Sequence, residues 1–317
     1  MRVLILGGSG FVGRCVADEA VRRGFDVTVF NRGRREAPAG VTVLTGDRQG
    51  DLTALAGGSW DAVVDTWSAS GEAVERTARL LSGRAGHYTY VSSRSVYTGA
   101  QPRMAEDAPL VEPAKPGYAG DKRRGELGAA VFDGPVLLAR AGLILGPYED
   151  VGRLPWWLNR LARGGPTLAP GPRDLPLQYV DARDLASFVL DGTGLDGAFD
   201  VVSKPGHTTM GEFLDIANEV TGGRAELRWT APEVIEAAGI EPWSQLPVYL
   251  PPGDLHDFLH GGDTSKAYAN GLVCRPVRAT VEDTWQWLRG LPAGAPQRAD
   301  RPVVGLDPAV EARVLGQ

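Results

Sequence analysis

The sequence is poor in the residues that disulfides and metal sites require. Of its 317 residues, only two are cysteine and four are histidine. Cys15 and Cys274 lie far apart and form no Cys-x-x-Cys pair, which argues against a disulfide framework or a zinc site. His256 and His260 share a helical spacing, but no glutamate lies between them as in a metalloprotease helix. We therefore predict no metal site and expect both cysteines to be buried apolar residues.

Long apolar runs and an excess of positive charge are also absent. No segment approaches the roughly 18 apolar residues of a membrane span, and the first apolar run, Val3 to Leu6, is too short for the core of a signal peptide. The 39 acidic and 33 basic residues are mixed along the chain and give a formal charge of -6, so no basic face favours nucleic acid or anionic lipid. We expect a cytoplasmic protein that binds a small molecule, and neither nucleic acid nor a membrane.

What the sequence does contain is a regular alternation of strand-length and helix-length apolar segments in its first half. This pattern is typical of βαβ units on a parallel sheet. It predicts an α/β fold, with a Rossmann-type doubly wound parallel sheet and a smaller, irregular α/β substrate-binding lobe. The predicted strands are 2–6, 26–31, 41–45, 62–65, 87–92 and 136–140, and the predicted helices are 11–23, 71–81 and 118–132.

After Gly146, tryptophan, proline and glycine break this alternation. Residues 177–191 then have the pattern of a strand and a helix that return to the sheet. We therefore predict discontinuous domains and expect two helices, 210–221 and 232–238, in the second lobe. The predicted units are a dinucleotide-binding domain (1–147 plus about 176–192), a substrate-binding lobe (about 148–175 plus 193–291) and a C-terminal surface tail (292–317) able to fold back.

A glycine-rich turn separates the first strand from the first helix. Gly7 permits a tight turn, Gly10 lets a pyrophosphate approach the backbone, and Gly13 lets the helix sit close to the strand. The N-terminus of the helix offers amide groups to the phosphates. We predict a dinucleotide site here; the alternative is a turn with a structural role only.

The end of the second strand favours NADP(H), with NAD(H) still possible. An acidic residue would accept hydrogen bonds from an unphosphorylated ribose, but Asn31 and Arg32 stand there, and Arg32 with a neighbouring arginine could clamp a 2′-phosphate. A solvated arginine loop is the alternative. Asp47 could accept from the adenine amino group or lie in an exposed turn. The predicted cofactor-binding residues are Gly7, Gly10, Phe11, Val12, Gly13, Asn31, Arg32, Arg35, Asp47, Arg48, Thr66, Tyr118 and Lys122.

Three polar residues indicate proton transfer. Tyr118 and Lys122 stand at i and i+4 of a predicted helix and share one face. Tyr118 follows Ser93, at a predicted strand end, by 25 residues. A tyrosine hydroxyl has an ordinary pKa of about 10, and a nearby lysine and an oxidised nicotinamide ring favour the phenolate. Ser93 would orient the substrate oxygen. We predict Ser93, Tyr118 and Lys122 to be catalytic.

The aromatic residues of the second lobe leave two interpretations open. They lie in irregular, proline-rich segments and either line an apolar pocket or form the core of that lobe. Trp243 and Tyr249 belong to this set. The predicted substrate-binding residues are Ser93, Tyr97, Leu143, Trp156 and Trp157.

Together these residues resemble the extended short-chain dehydrogenase/reductase family, which includes nucleotide-sugar epimerases and dehydratases. Residues 140–147 are similar to its Arg-Pro-x-x-x-x-Gly-Pro segment, and residues 177–186 to its Val-Asp-x-x-Asp-Leu-Ala stretch. The resemblance implies the catalytic and cofactor roles given above and a monomer or homodimer. Leu143 replaces the asparagine with which nucleotide-sugar epimerases reach a diphosphate, and Ala141 replaces the usual proline.

Three functions follow as hypotheses. The leading one is an NADPH-dependent reductase of a small, fairly apolar carbonyl-type metabolite. The alternative is a nucleotide-sugar epimerase or dehydratase that transfers hydride transiently and leaves its cofactor unchanged, so net NADPH consumption separates the two. A third, from another class, is a non-catalytic NADP- or RNA-binding regulatory protein.

Overall fold

A computed structural model of the chain describes residues 1–99, 103–292, 294–295, 297–299 and 301–316. The strands are β1 (Arg2–Leu6), β2 (Asp26–Asn31), β3 (Thr42–Thr45), β4 (Ala62–Asp65), β5 (Tyr88–Ser93), β6 (Val136–Ala141), β7 (Leu143–Leu145), β8 (Gly165–Pro170), β9 (Pro176–Leu177), β10 (Tyr179–Asp181), β11 (Gly197–Val201), β12 (Thr208–Thr209) and β13 (Ala225–Thr230). The α-helices are α1 (Phe11–Arg22), α2 (Gly71–Leu81), α3 (Tyr118–Ala129), α4 (Arg153–Arg163), α5 (Ala182–Asp191), α6 (Met210–Val220), α7 (Pro232–Ala237), α8 (Asp254–His260), α9 (Ser265–Ala269), α10 (Val277–Arg289) and α11 (Pro308–Val314).

A seven-stranded parallel sheet in the order β11-β6-β5-β4-β1-β2-β3 organises the first half of the chain. The order of the strands reverses between β1 and β4. In sheets of this type ligands bind at the carboxyl ends of the strands, at this switch point. The predicted Rossmann-type fold is confirmed.

Helices cover both faces of the sheet, and β1 is accordingly apolar at every buried position. Val3 and Ile5 pack into one cluster with α1 and α5, whereas Leu4 and Leu6 pack into another with α2 and α3. Since alternate strand residues point to opposite faces, a continuous apolar run is what a sheet buried on both sides requires.

The second lobe has a core of its own, built from α4, α6 and α10 and from the paired strands β8 and β13. Helix α4 was not predicted. Its Pro155 lies in the first turn, where a proline is tolerated because the amide there has no partner within the helix. The helices predicted at 210–221 and 232–238 are confirmed as α6 and α7.

One predicted boundary is wrong. We placed residues 193–201 in the second lobe, but β11 pairs in parallel with β6 and forms an edge of the main sheet. The reason is that Phe199 and Val201 are buried in the same cluster as α5, so that β10, α5 and β11 return the chain to the sheet. Helix α9 also packs on β11.

The C-terminal region is more than a surface tail. Leu306 is buried in the core of the second lobe, and Asp307 caps α11. The buried Glu311 accepts hydrogen bonds from Arg160 Nε (2.7 Å) and from the amide of Leu168 (3.0 Å). The segment therefore folds back onto the second lobe and is anchored there.

Cys15 is buried as predicted, whereas Cys274 is only partly so. Within the described residues, none of the helices combines the length and the apolar character needed to cross a membrane.

Candidate active site

The glycine turn between β1 and α1 is tightly closed. Gly7 has φ of +100°, a conformation that favours glycine, and its carbonyl accepts the amide of Gly10 (3.2 Å). A Cβ on Gly13 would lie 2.3 Å from the Gly7 oxygen. The first turn of α1 therefore packs directly on the loop that follows β1, whereas the prediction for the third glycine was a close approach to the strand itself.

The start of α1 fits the pyrophosphate of a dinucleotide. The N-cap is Gly10, which has no side chain to accept the first amides, and the first turn carries no acidic residue. The amides of Phe11, Val12 and Gly13 belong to the helix end that lacks partners within the helix. A Cβ on Gly10 would meet only the Gly7 oxygen, at 3.8 Å, so the backbone is open to a phosphate.

These contacts predict that alanine substitutions at Gly13 and at Gly10 affect stability and NAD binding differently. Gly13→Ala should destabilise the protein by about 1–3 kcal/mol, because the methyl group collides with backbone. Gly10→Ala should cost less than about 1 kcal/mol but weaken NAD binding about tenfold or more, because its methyl group fills the phosphate approach. Urea unfolding without cofactor measures the loss of stability in each variant. A separate titration of each folded variant with NAD measures the change in affinity. Unchanged NAD affinity in Gly10→Ala would contradict the assignment.

One of the arginines predicted to bind a 2′-phosphate, Arg35, is paired with a carboxylate of the protein. Arg35 Nη1 donates to Asp150 Oδ2 (2.8 Å), a carboxylate on the loop after β7. Arg32 is exposed, and Asn31 Oδ1 accepts the amide of Gly33. The positive charge of Arg35 is thus engaged by a carboxylate of the protein.

Of two further predicted cofactor contacts, Thr66 lies beside the glycine turn and Asp47 lies in a turn of its own. Thr66 Oγ1 donates to the Leu6 carbonyl (3.0 Å), and a Cβ on Gly7 would lie 2.6 Å from that hydroxyl oxygen, so Thr66 lies beside the glycine turn. Asp47 Oδ1 accepts the amide of Gln49 in a turn.

The prediction that Arg48 contacts the cofactor is wrong. Its guanidinium is buried and donates to both carboxylate oxygens of Asp65 (2.8 and 2.7 Å) and to Thr77 Oγ1 (2.9 Å). The ion pair joins the loop after β3 to the end of β4, and the hydrogen bond to Thr77 joins that loop to α2. Arg48 is therefore a structural residue beneath the site.

Lys122 is fixed at the carboxyl ends of β4 and β5. Its Nζ donates to the carbonyls of Val91 (2.7 Å) and Trp67 (2.9 Å) and lies 4.8 Å from the centre of the Tyr90 ring. The side chain is buried, and burial lowers the pKa of Lys122 to about 7. The amine therefore exchanges between its charged and neutral forms near neutral pH.

Tyr118 and Ser93 lie at the same end of the sheet as Lys122. Tyr118 is the first residue of α3 and is 38% exposed, and its ring centre lies 6.0 Å from Lys122 Nζ. Ser93 ends β5, and its hydroxyl oxygen accepts the amide of Ser95. Helix α3 packs on β5 and on the 3-10 turn Arg94–Val96. The three predicted catalytic residues therefore come from elements in direct contact.

Glu126 anchors this arrangement and was missed from the sequence. It is buried one turn beyond Lys122, where it accepts from Ser92 Oγ (2.7 Å) and from Arg140 Nε (2.8 Å) and Nη2 (3.1 Å). These bonds tie α3 to β5 and β6. The signal was present, since Tyr118, Lys122 and Glu126 follow one another at four-residue intervals on one helix face.

Three predicted substrate-binding residues are buried in the protein and were assigned wrongly. Leu143 and Trp157 belong to the core of the second lobe, where Trp157 Nε1 donates to the Pro247 carbonyl (2.7 Å). Tyr97 is buried, and its hydroxyl donates to Asp200 (2.6 Å). Each side chain is surrounded by other elements of the fold, which leaves it no surface for a ligand.

The other second-lobe aromatics largely follow the core interpretation. Tyr249 is fully buried, and its hydroxyl donates to the Gly171 carbonyl. Trp156 and Trp243 are partly buried and pack against the same core. Trp156 stays a prediction as a substrate-binding residue.

Comparison with known families gives one sequence match. The sequence profile of the family described as "NAD dependent epimerase/dehydratase family" matches residues 3–191. None of the curated proteins matches this chain at a significant level.

Solved structures share the fold over most of the chain. A UDP-glucose 4-epimerase of Thermus thermophilus in complex with NAD has a TM-score of 0.65 and 21% identity, over 90% of this chain and 99% of that one. A UDP-N-acetylglucosamine 4-epimerase of Bacillus cereus has a TM-score of 0.69 and 15% identity, over 92% and 100%. The Bordetella bronchiseptica enzyme WbmG in complex with NAD and UDP has a TM-score of 0.67 and 18% identity, over 92% and 95%. At these identities the likeness concerns the fold.

Proposed function

Since this chain belongs to the NAD dependent epimerase/dehydratase family, we propose that it is an enzyme that oxidises a hydroxyl group of a small molecule transiently and returns the hydride to the same molecule. The observation that carries the proposal is that Lys122 lies at the carboxyl ends of β4 and β5, with the ring centre of Tyr118 6.0 Å from its amine, in a sheet whose first turn fits a pyrophosphate. The family membership agrees with the resemblance to extended short-chain dehydrogenases/reductases.

In this proposal the residues move and hold a proton. Tyr118 takes the proton of the substrate hydroxyl when hydride leaves the adjacent carbon, and gives a proton back when hydride returns. Lys122, in its charged form, favours the phenolate. Ser93 orients the substrate oxygen, and Glu126 with Arg140 positions α3. When bound, the nicotinamide supplies the acceptor and donor for hydride.

The cofactor we propose is NAD(H) rather than NADP(H). Arg35, one half of the predicted phosphate clamp, is paired with Asp150, and the Thermus thermophilus epimerase and WbmG structures are both complexes with NAD. These observations favour the epimerase or dehydratase hypothesis over the NADPH-dependent reductase. We further propose a nucleotide sugar as the substrate class, on the strength of the sugar-nucleotide enzymes that share the fold.

The decisive experiment follows the cofactor and the sugar together. The purified protein is assayed for retained NAD(H) and then incubated with UDP-glucose or UDP-N-acetylglucosamine, with products analysed by chromatography. We expect preference for NAD(H) over NADP(H) and conversion of a sugar nucleotide without net change in cofactor. Stoichiometric NADPH consumption with a carbonyl substrate would overturn the proposal in favour of the reductase. Cofactor binding with neither reaction would favour the non-catalytic hypothesis.

A further inference from the structure

The ion pair between Arg35 and Asp150 joins two loops at the carboxyl edge of the main sheet. Arg35 follows β2, on one side of β1, whereas Asp150 follows β7, which comes directly after β6 in the chain. In the sheet, β1, β4 and β5 lie between β2 and β6. Arg35 Nη1 nevertheless donates to Asp150 Oδ2 at 2.8 Å. The loop that carries Asp150 must therefore reach across to the β2 side.

The loop between β7 and α4, which carries Asp150, reaches that side by packing on α1. The ring centre of Tyr148 lies 4.7 Å from the guanidinium carbon of Arg14, the residue after the third glycine. In the same turn of α1, Cys15 Sγ donates to the Pro147 carbonyl (3.9 Å). Since the start of α1 fits the pyrophosphate and the end of β2 fits the adenosine ribose, the ion pair lies beside the adenosine half of the dinucleotide site.

Asp150 is a fixed, buried negative charge, and Arg35 is its exposed partner. The side chain of Asp150 is 5% exposed and that of Arg35 is 50% exposed. The Asp150 carbonyl accepts the amide of Arg298 (2.9 Å), and the preceding residue, Glu149, accepts two amides at the start of α4. Taking Arg35 away would leave a buried carboxylate without this counter-charge, which is unfavourable.

This arrangement opposes a 2′-phosphate. To bind the phosphate, Arg35 would have to leave Asp150, and the phosphate would then lie near the released carboxylate, which repels it. An unphosphorylated ribose requires no such exchange. In dinucleotide-binding sheets an acidic residue at the end of the second strand usually favours NAD, whereas Asn31 stands there in this chain. The negative charge comes instead from a residue 115 positions beyond Arg35.

We propose that Asp150 is a specificity-determining residue that excludes NADP(H) by engaging Arg35. The inference rests on the proposed function, of which the use of NAD(H) is a part, and it assigns that preference to one carboxylate of the loop after β7. Exchanging this carboxylate for an amide of the same shape then shifts the preference toward NADP(H), because Arg35 can turn to the phosphate together with the exposed Arg32.

Cofactor titrations of Asp150→Asn test the proposal. Protein stripped of retained cofactor is titrated with NADH and with NADPH by calorimetry. Wild type should bind NADH at least about tenfold tighter than NADPH, and Asp150→Asn should bind NADPH about 10- to 100-fold tighter than wild type does, the range of charge-assisted hydrogen bonds. Its NADH affinity should stay within about threefold of wild type. The control is Asp191→Asn, which removes the partner of Arg23 (2.6 Å) at the far end of α1 and should leave both affinities unchanged.

A second substitution, Arg35→Ala, shows whether the gain comes from the released arginine. In the wild-type background it should not improve NADPH binding. In the Asp150→Asn background it should remove the gain, because the phosphate then loses the guanidinium it had acquired. The two single variants and the double variant form a cycle in which the effects on NADPH affinity are not additive.

Three results would overturn the inference while wild type still prefers NADH: unchanged NADPH affinity in Asp150→Asn, an equal gain for NADH and NADPH, or a gain that persists without Arg35. Loss of both dinucleotides in Asp150→Asn, with a lowered melting temperature, would assign the carboxylate a structural role instead. Failure of the proposed function has a different signature in the wild type itself, namely binding of neither dinucleotide or tighter binding of NADPH, and either result would overturn the inference as well.

Discussion

Replacing Tyr118 by phenylalanine is expected to lower turnover by about 10²- to 10⁴-fold, the usual contribution of a positioned proton donor. The substitution removes only the hydroxyl. The ring remains in place against the Arg301 guanidinium and at the start of α3, so NAD affinity should stay within about threefold of the wild-type value. The measurement is steady-state conversion of the substrate identified above, together with titration of NAD.

A matched control uses Tyr268, a partly buried tyrosine outside the candidate site. Tyr268 on α9 stacks with Lys204 at 4.7 Å and belongs to the β11 side of the sheet, so Tyr268→Phe should turn over normally. Retained activity in Tyr118→Phe would remove Tyr118 from proton transfer. Loss of NAD binding in the same variant would mean that the hydroxyl holds the cofactor rather than the proton.

The parts of the fold that were predictable are those determined by short-range patterns. The apolar run of β1, the glycines after it and the amphipathic α1 are adjacent in sequence, and each was predicted within one residue of its observed ends. The positions of Ser93 at the end of β5 and of Lys122 on a helix that packs on β5 agree with a general property of parallel sheets, in which polar ligand-binding residues gather at the carboxyl ends of the strands. The sequence could therefore predict which end of the sheet carries these polar residues, whereas their catalytic roles stay a prediction.

The wrong assignments depend on partners far away in the sequence. Nothing near Arg48 indicates that it is buried against Asp65, because the pairing requires β3 and β4 to lie on opposite sides of β1 and β2. Trp157 is an aromatic residue in an irregular, proline-rich segment, which is typical of a ligand pocket. Only the packing of α4 shows that it belongs to the core. The sequence predicts a surface tail at Arg301, because the contact with Tyr118 requires α11 to fold back first.

The largest expected loss of stability is for Arg48→Met, about 3–5 kcal/mol in the free energy of unfolding. Asp65 is fully buried and also accepts from the Tyr88 hydroxyl (2.6 Å) and the Trp67 amide (2.9 Å). Burial alone would raise the pKa of Asp65, but the charge of Arg48 holds it below its ordinary value. Removing the arginine leaves a buried carboxylate without its counter-charge.

Urea unfolding at pH 7 measures this loss, with Arg79→Ala as the control. Arg79 forms a 2.8 Å ion pair with Glu75 on α2, but both side chains are largely exposed, so that variant should lose less than about 0.5 kcal/mol. The double variant Arg48→Met with Asp65→Leu should recover part of the loss, because no buried charge remains, although the Tyr88 hydroxyl then lacks its acceptor. If Arg48→Met instead unfolds like the wild type and loses NAD affinity, Arg48 is a cofactor ligand after all, and the burial of its guanidinium must change when NAD binds.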